Sequence, residues 1–139
     1  MEKVEFLSKI PLFESCSEKN VKSIAEQTRT RKFTAGDEIV AEGSQKTMGF
    51  YIILDGEAKV TRGEHHLGDY GPGDYFGEIA LLLDDSPRTA TVTATTDMTV
   101  LALARWDFKA LLKTHPEIGV EVMGVLAQRL ADTDKVLSD

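Results

Sequence analysis

Cysteine and long apolar runs are scarce in this 139-residue sequence, and each scarcity excludes a class of protein. The single cysteine, Cys16, cannot form an internal disulfide, which suits a reducing compartment. No apolar run approaches the length of a membrane span, and the chain opens without the pattern of a secretory signal. We therefore expect a cytoplasmic protein whose domain makes no membrane contact.

The residue combinations that usually mark a catalytic or metal site are also missing. His65 and His66 are adjacent, so on a strand they point to opposite faces and cannot share a metal, and His115 is the third and last histidine. A surface turn is the expected place of the pair. The sequence has no glycine-flanked serine elbow, no cysteine–histidine nucleophile pattern and no phosphate-loop lysine. We expect no catalytic residue and no metal.

Positive charge is in short supply, with 16 lysines and arginines against 23 acidic residues and a formal net charge of −7. This balance argues against nucleic acid or an anionic membrane as a partner of the domain. An acidic protein can still bind one phosphate group if the cation that receives it is local. The length indicates one domain, large enough to bury a core without disulfides or metals.

Hydrophobic periodicity divides the chain into a helical segment (1–28), a β region (29–104) and C-terminal helices (105–139). Ser17 is the expected N-cap of a helix that runs through Gln27. Short strands separated by turn glycines are typical of an antiparallel jelly-roll barrel, and in one of them Ala58 and Val60 share a face. We expect Trp106 to anchor the core or a hinge, or alternatively to stack on a purine.

Residues 70–92 combine a glycine-rich turn, a short apolar helix and an arginine, which together predict a socket for a phosphate joined to a sugar. Gly77 lets the backbone approach a ligand closely, and the helix that begins at Glu78 presents free N–H groups to an anion. Arg88 follows a proline turn, and its guanidinium can donate hydrogen bonds to two phosphate oxygens at once. Glu78 would be repelled by the phosphate, but it can accept a hydrogen bond from a ribose 2′-hydroxyl.

These residues resemble the phosphate-binding cassette of cyclic nucleotide-binding domains, which occur in kinase regulatory subunits, gated ion channels and catabolite-activator regulators. The resemblance lies in two runs, Phe76-Gly77-Glu78-Ile79-Ala80-Leu81 and Pro87-Arg88-Thr89-Ala90-Thr91-Val92. It implies an eight-stranded antiparallel jelly roll, mainly β, with an N-terminal helical segment, the cassette over 76–92 and C-terminal B/C-type helices. It also implies a regulatory module with a cyclic nucleotide as its ligand.

The resemblance implies a role for each candidate residue. The cyclic phosphate would bind Arg88 and backbone amides, and the amides implied are those of Ile79, Ala80, Leu81 and the region of Ala90. Glu78 would bind the ribose, while Val60 and Leu67 would form apolar walls and Thr133 would contact the purine. Thr89 resembles members that accept cGMP, although it also occurs in members that prefer cAMP. We expect cAMP or cGMP as the regulatory ligand, with cAMP slightly favoured.

We expect the C-terminal helices to transmit whether nucleotide is bound, and the last helix would close over the base as a lid. Its apolar stripe could equally be core or the interface of a homodimer. The effector would be a domain or partner protein outside this chain. The alternative function is a degenerate jelly roll that serves as a docking or dimerisation scaffold without nucleotide.

Overall fold

A computed structural model of the chain describes residues 2–40, 49–77 and 90–137. Its helices are α1 (Glu2–Lys9), α2 (Glu18–Gln27), α3 (Arg105–Thr114) and α4 (Pro116–Leu137), with a short 3₁₀ helix at Pro11–Phe13. Its strands are β1 (Arg29–Phe33), β2 (Glu38–Val40), β3 (Gly49–Asp55), β4 (Ala58–Arg62), β5 (His65–Tyr70), β6 (Tyr75–Phe76), β7 (Thr91–Ala94) and β8 (Met98–Ala104).

The eight strands form two antiparallel sheets of four strands each. The inner sheet has the order β1-β8-β3-β6, and the outer sheet has the order β2-β7-β4-β5. Eight antiparallel strands with flanking helices confirm the predicted fold class. Within the described residues, however, the two sheets remain separate and do not close into the expected barrel.

The central strands of the inner sheet, β3 and β8, are buried on both faces, since successive side chains of a strand point in opposite directions and here enter different clusters. In β3, Phe50 and Ile52 face the helices, whereas Tyr51 and Ile53 face the outer sheet. The helix-side cluster comprises Leu7, Ile10, Leu12, Phe13, Val21, Ile24, Ala25, Phe50, Ile52, Tyr75, Leu101, Leu103, Phe108, Leu111, Ile118 and Val122. The inter-sheet cluster comprises Ile39, Tyr51, Ile53, Ala58, Val60, Phe76, Val92, Ala94, Met98 and Val100.

The outer sheet contributes its inward face to the inter-sheet cluster. In β4, Ala58 and Val60 are buried and the intervening Lys59 is exposed, as the alternation in the sequence predicts. β4 lies between β7 and β5, with Val60 opposite Val92 on one side and Gly68 on the other. His65 and His66 open β5 and do not form the predicted turn, but both are exposed as expected.

The N-terminal segment is held by local capping and by apolar contacts with the inner sheet. Ser17 caps α2 as predicted, because its hydroxyl accepts a hydrogen bond of 3.1 Å from the Asn20 N–H. Leu12 and Phe13 of the 3₁₀ helix are buried. Burial raises the pKa of the neighbouring Cys16 thiol above its ordinary value, and the charge of Glu117 in α4 raises it further. The 3₁₀ helix also contacts α4, so the N-terminal segment lies against that helix.

The α3 helix packs through Phe108, whose ring stacks on Phe50 with a centroid distance of 4.2 Å. The prediction that Trp106 anchors the core is wrong, since 75% of this residue is exposed. Two residues along an α-helix correspond to a rotation of about 200°. Because Phe108 points into the core, Trp106 points away from it.

Gly56 and Gly36 provide a test of how closely the β3–β4 turn packs. Both have a positive φ, 93° and 99°, but a Cβ on Gly56 would lie 2.5 Å from the Asp97 carbonyl oxygen, whereas Gly36 has open space around it. We expect Gly36→Ala to cost about 1 kcal/mol of unfolding free energy from backbone strain alone. Gly56→Ala should cost roughly 1–3 kcal/mol more, because backbone must move. Urea unfolding measures both, and equal losses would contradict this account of the turn.

Candidate functional site

The predicted cassette enters and leaves the described structure at well-defined points. Glu78, Ile79, Ala80, Leu81, Arg88 and Thr89 all lie outside the described residues. On the entry side, Gly77 has a φ of 97°, a conformation that favours glycine. On the exit side, Ala90 lies immediately before β7. Gly77 and Ala90 are therefore the described residues on either side of the undescribed part of the cassette.

Four predicted site residues meet in the inter-sheet cluster. Val60, with 6% exposure, and Phe76 are buried members of the cluster, and the partly buried Leu67 and Ala90 pack against it. The apolar side chains expected beside the sugar and base therefore adjoin the residues that frame the cassette.

Thr133 is the predicted site residue that does not belong to this group. It lies half-buried on α4, whose buried members Ile118 and Val122 belong instead to the helix-side cluster. The α4 helix does contact β5, the strand that carries Leu67. Thr133 is therefore on an element adjacent to the site without being part of the inter-sheet cluster.

The strand β6 connects the two clusters at the start of the cassette. Tyr75 points into the helix-side cluster, where its ring centroid lies 5.3 Å from that of Phe50. Phe76 points the other way, with its ring 5.2 Å from Tyr51 and 6.0 Å from Tyr70. Because the next residue is Gly77, a displacement of the cassette entrance would act on both clusters.

Arg129 is a residue of α4 that the sequence reasoning did not single out. Its guanidinium donates a short hydrogen bond to the Tyr75 carbonyl oxygen. The same group lies 4.4 Å from the ring centroid of Tyr70 and 5.4 Å from that of Tyr75. An arginine over an aromatic face is attracted by the ring quadrupole. Arg129 thus attaches the last helix to the strand that leads into the cassette.

A signal for Arg129 was present in the sequence. It lies seven residues after the buried Val122 and three after the half-buried Leu126, so it occupies the inward stripe of α4. An arginine in an apolar stripe needs a partner, because an unpaired charge is costly to bury. The sequence could have indicated that Arg129 has a specific contact, but not which atoms it meets.

A separate surface depression of about 330 Å³ lies at one end of the outer sheet. It is lined by Glu57, Ala58, Asp69, Tyr70, Gly71 and Thr95, none of which is a predicted ligand residue. Asp69 also contacts His66, with 3.0 Å between the carboxylate and the ring Nε2. Two carboxylates in the lining disfavour an anionic ligand, so the depression does not replace the predicted site.

The described part of the chain has neither a metal-binding cluster nor a membrane-spanning helix. In the ranges 2–40, 49–77 and 90–137, no group of three or more His, Cys, Asp or Glu side chains is arranged to hold a metal ion. The helices of this part of the chain include none that is both long and apolar enough to cross a bilayer.

The family of the chain is decided by a match that spans the β region. Residues 30–115 match the family model of the cyclic nucleotide-binding domain. The chain belongs to this family. It is 39% identical over 107 residues to a cAMP-dependent protein kinase regulatory subunit of Hypocrea atroviridis. The aligned region covers 77% of this chain and 23% of the relative. It is 29% identical over 140 residues to a CRP-like cAMP-activated global transcriptional regulator of Mycobacterium tuberculosis, covering 97% of this chain and 62% of the relative.

Solved regulatory domains and subunits of protein kinase A have the same architecture. The regulatory domain of Toxoplasma gondii PKA with cAMP superimposes with a TM-score of 0.80 at 28% identity, over 91% of this chain and 49% of that one. The regulatory subunit of a cAMP-independent protein kinase A from Trypanosoma brucei gives a TM-score of 0.77 at 25% identity, over 90% and 46% of the two chains. This chain therefore spans less than half of each of these two structures.

Removal of the Arg129 side-chain contacts should loosen the C-terminal half of α4. A hydrogen bond from a charged donor contributes about 1.5–3 kcal/mol, so we expect Arg129→Met to reduce hydrogen-exchange protection of that half roughly tenfold to a hundredfold. Protection around Ile118 and Val122 should change less, because these side chains remain buried.

Gln128→Met is the matched control, since Gln128 is exposed and donates to Asp132 within the same helix. Equal loss of protection in the Arg129 and Gln128 variants would show that Arg129 does not fasten α4 to β6.

Proposed function

We propose that this domain is a regulatory sensor that binds a 3′,5′-cyclic nucleotide, preferring cAMP to cGMP, and acts in the cytoplasm without catalysing a reaction. The observation that carries the proposal is the cassette motif, which follows a buried strand and a glycine of positive φ in a chain of this family. The relatives described as cAMP-dependent or cAMP-activated support cAMP as the ligand.

Each cassette residue has a role that its chemistry can perform. Arg88 and the amides of residues 79–81 and 90 bind the ring phosphate, because a guanidinium and the N-terminus of a helix both attract an anion. Glu78 accepts a hydrogen bond from the ribose 2′-hydroxyl. Val60 and Leu67 contact the sugar and base, and Thr133 offers a polar contact to the purine from α4.

The contact between Arg129 and β6 supports a route by which occupancy reaches the C-terminal helices. A ligand shifts a conformational equilibrium only by its difference in affinity for the two states. When the cassette moves onto the phosphate, it pulls on Gly77 and β6, to which Arg129 attaches α4. The position of α4 therefore differs between the free and occupied states, and an effector domain or partner protein responds to that difference.

Calorimetric titration with cAMP and cGMP tests the ligand. We expect heat with cAMP, and we expect Arg88→Ala to weaken binding by about 2–5 kcal/mol, the range for truncating one partner of a buried charged pair. This corresponds to roughly thirtyfold to several thousandfold in affinity. Arg31→Ala is the control, because it removes the same charge from an exposed position on β1.

The ribose contact gives an independent check within the same experiment. Wild type should bind 2′-deoxy-cAMP more weakly than cAMP, and Glu78→Ala should bind the two nucleotides equally, because the acceptor of the hydroxyl is gone. Absence of heat with both cAMP and cGMP would favour the scaffold function instead.

The outward face of α4 favours a homodimer as a second function, with or without nucleotide. From residue 118 to 131 every exposed position of the helix is uncharged: Val120, Met123, Gly124, Ala127, Gln128, Leu130 and Ala131. Val120, Met123 and Leu130 are 64%, 61% and 63% exposed. Positions 120, 123, 127 and 130 follow the three–four spacing of a coiled-coil interface, and position 137 lies seven residues after 130. We propose that α4 pairs with a second copy along this face.

A double substitution tests the dimer. Met123→Lys with Leu130→Lys should shift the protein from dimer to monomer in sedimentation equilibrium, because four charges would be buried in the interface. The control is Trp106→Lys, which also replaces an exposed large apolar residue but lies on α3. A wild-type protein that remains monomeric at high concentration would overturn the proposed dimer.

A further inference from the structure

The β1 strand differs from its neighbours in the inner sheet because neither of its faces is covered. Arg29, Thr30, Arg31 and Lys32 are all exposed, and only Phe33 at the end is half-buried. In β3 and β8, by contrast, alternate residues enter the helix-side and inter-sheet clusters. Hydrogen bonding to β8, with Arg29 opposite Ala102 and Phe33 opposite Met98, is therefore the main contact that holds β1 in place.

β1 also concentrates positive charge in an acidic protein. Three of its first four residues are cationic, in a chain with a net charge of −7. Across the described part of the chain, Arg29, Arg31 and Lys32 form no ion pair with an acidic side chain. The Arg31 guanidinium lies 5.3 Å from the ring centroid of Phe33 in the same strand. The three cations are therefore available to an acidic partner.

The position of β1 in the sheet defines how such a partner would approach. Among the described strands β1 pairs only with β8 and forms one edge of the inner sheet. Alternate backbone N–H and C=O groups of an edge strand point away from the sheet and can pair with another extended chain. Arg29 and Arg31 lie on one face of β1, and Lys32 lies on the other.

We propose that the edge of β1 is a docking surface for an extended acidic segment of a partner protein, which adds to the inner sheet as a further strand. A chain that lies along the edge places its side chains over both faces, so it can meet all three cations. A flat bilayer would reach one face at a time, and neither a bilayer nor a DNA duplex has the backbone N–H and C=O groups that pair with an edge strand. Charge complementarity therefore favours an acidic peptide.

The start of α3 follows the strand that pairs with β1 and carries an exposed aromatic side chain. Arg29 lies opposite Ala102, two residues before the end of β8, and Trp106 follows in the first turn of α3. Tryptophan and arginine are the residues most enriched at the energetic centres of protein interfaces. The exposure of Trp106, unexplained by the core, fits a contact with the same partner.

Fluorescence anisotropy with a labelled peptide that repeats the unit Thr-Glu-Glu tests the proposal. We expect the peptide to bind the wild-type domain, and the same peptide with glutamine in place of glutamate to bind much more weakly. Arg29→Glu, Arg31→Glu and Lys32→Glu together should weaken binding of the glutamate peptide roughly threefold to a hundredfold, as the loss of three exposed ion pairs predicts. A Thr-Lys-Lys peptide should bind this variant better than it binds wild type.

The matched control carries the same three charge reversals at the exposed Lys9, Lys22 and Lys113, and it should retain the peptide. Circular dichroism and thermal melting establish that each variant is folded. Equal loss in the control variant, or equal binding by the triple β1 variant, would overturn the proposal. Aggregation of the folded β1 variant without a change in peptide binding would assign the cations to protection of the edge alone. Stronger β1-dependent binding to a DNA duplex or to phosphatidylserine vesicles would replace the peptide with that partner.

Discussion

The two-residue strand β6 is the constraint on which the rest of the molecule depends. Tyr75 and Phe76 are adjacent, so they point to opposite faces of the inner sheet and join different clusters. Both are buried, and each contacts other aromatic rings. Because packed interiors resist gradual deformation, β6 cannot shift without repacking on both sides. Phe76 is also the first residue of the cassette, so the entrance of the cassette is held by the two main packed regions of the fold.

This arrangement is the physical basis of the proposed route from the cassette to the last helix. Ile118 and Val122 hold the first half of α4 in the helix-side cluster, whereas Arg129 holds the second half through the Tyr75 carbonyl and two aromatic rings. Apolar packing holds the first half of α4, and the strength of such packing does not depend on the orientation of the groups in contact. A hydrogen bond holds the second half, and its strength does depend on orientation. A change in the orientation of β6 therefore acts mainly on the second half of α4.

The sequence predicted those features that depend on local periodicity. The burial of Ala58 and Val60, the Ser17 cap and the antiparallel strands follow from side-chain alternation, hydroxyl chemistry and turn glycines. The prediction for Trp106 failed because tryptophan as a residue type favours burial, whereas this position lies about 200° around the helix from the buried Phe108. Arg129 was missed because its partner Tyr75 is 54 residues away, and the pairing arises only when α4 packs across β5 and β6.

The charge distribution suggests that the two edges of the inner sheet suit different kinds of anion. A net charge of −7 opposes any anion at long range, but salt screens such effects beyond about 8 Å. A small anion must therefore be attracted by groups that surround it, as the proposed phosphate site does with a single arginine and backbone amides. The row of cations on β1 has no such enclosure and suits a long, flexible anionic chain that can follow an edge. β6 and β1 are the opposite edges of one sheet, so the two anions would bind without competing for the same side chains.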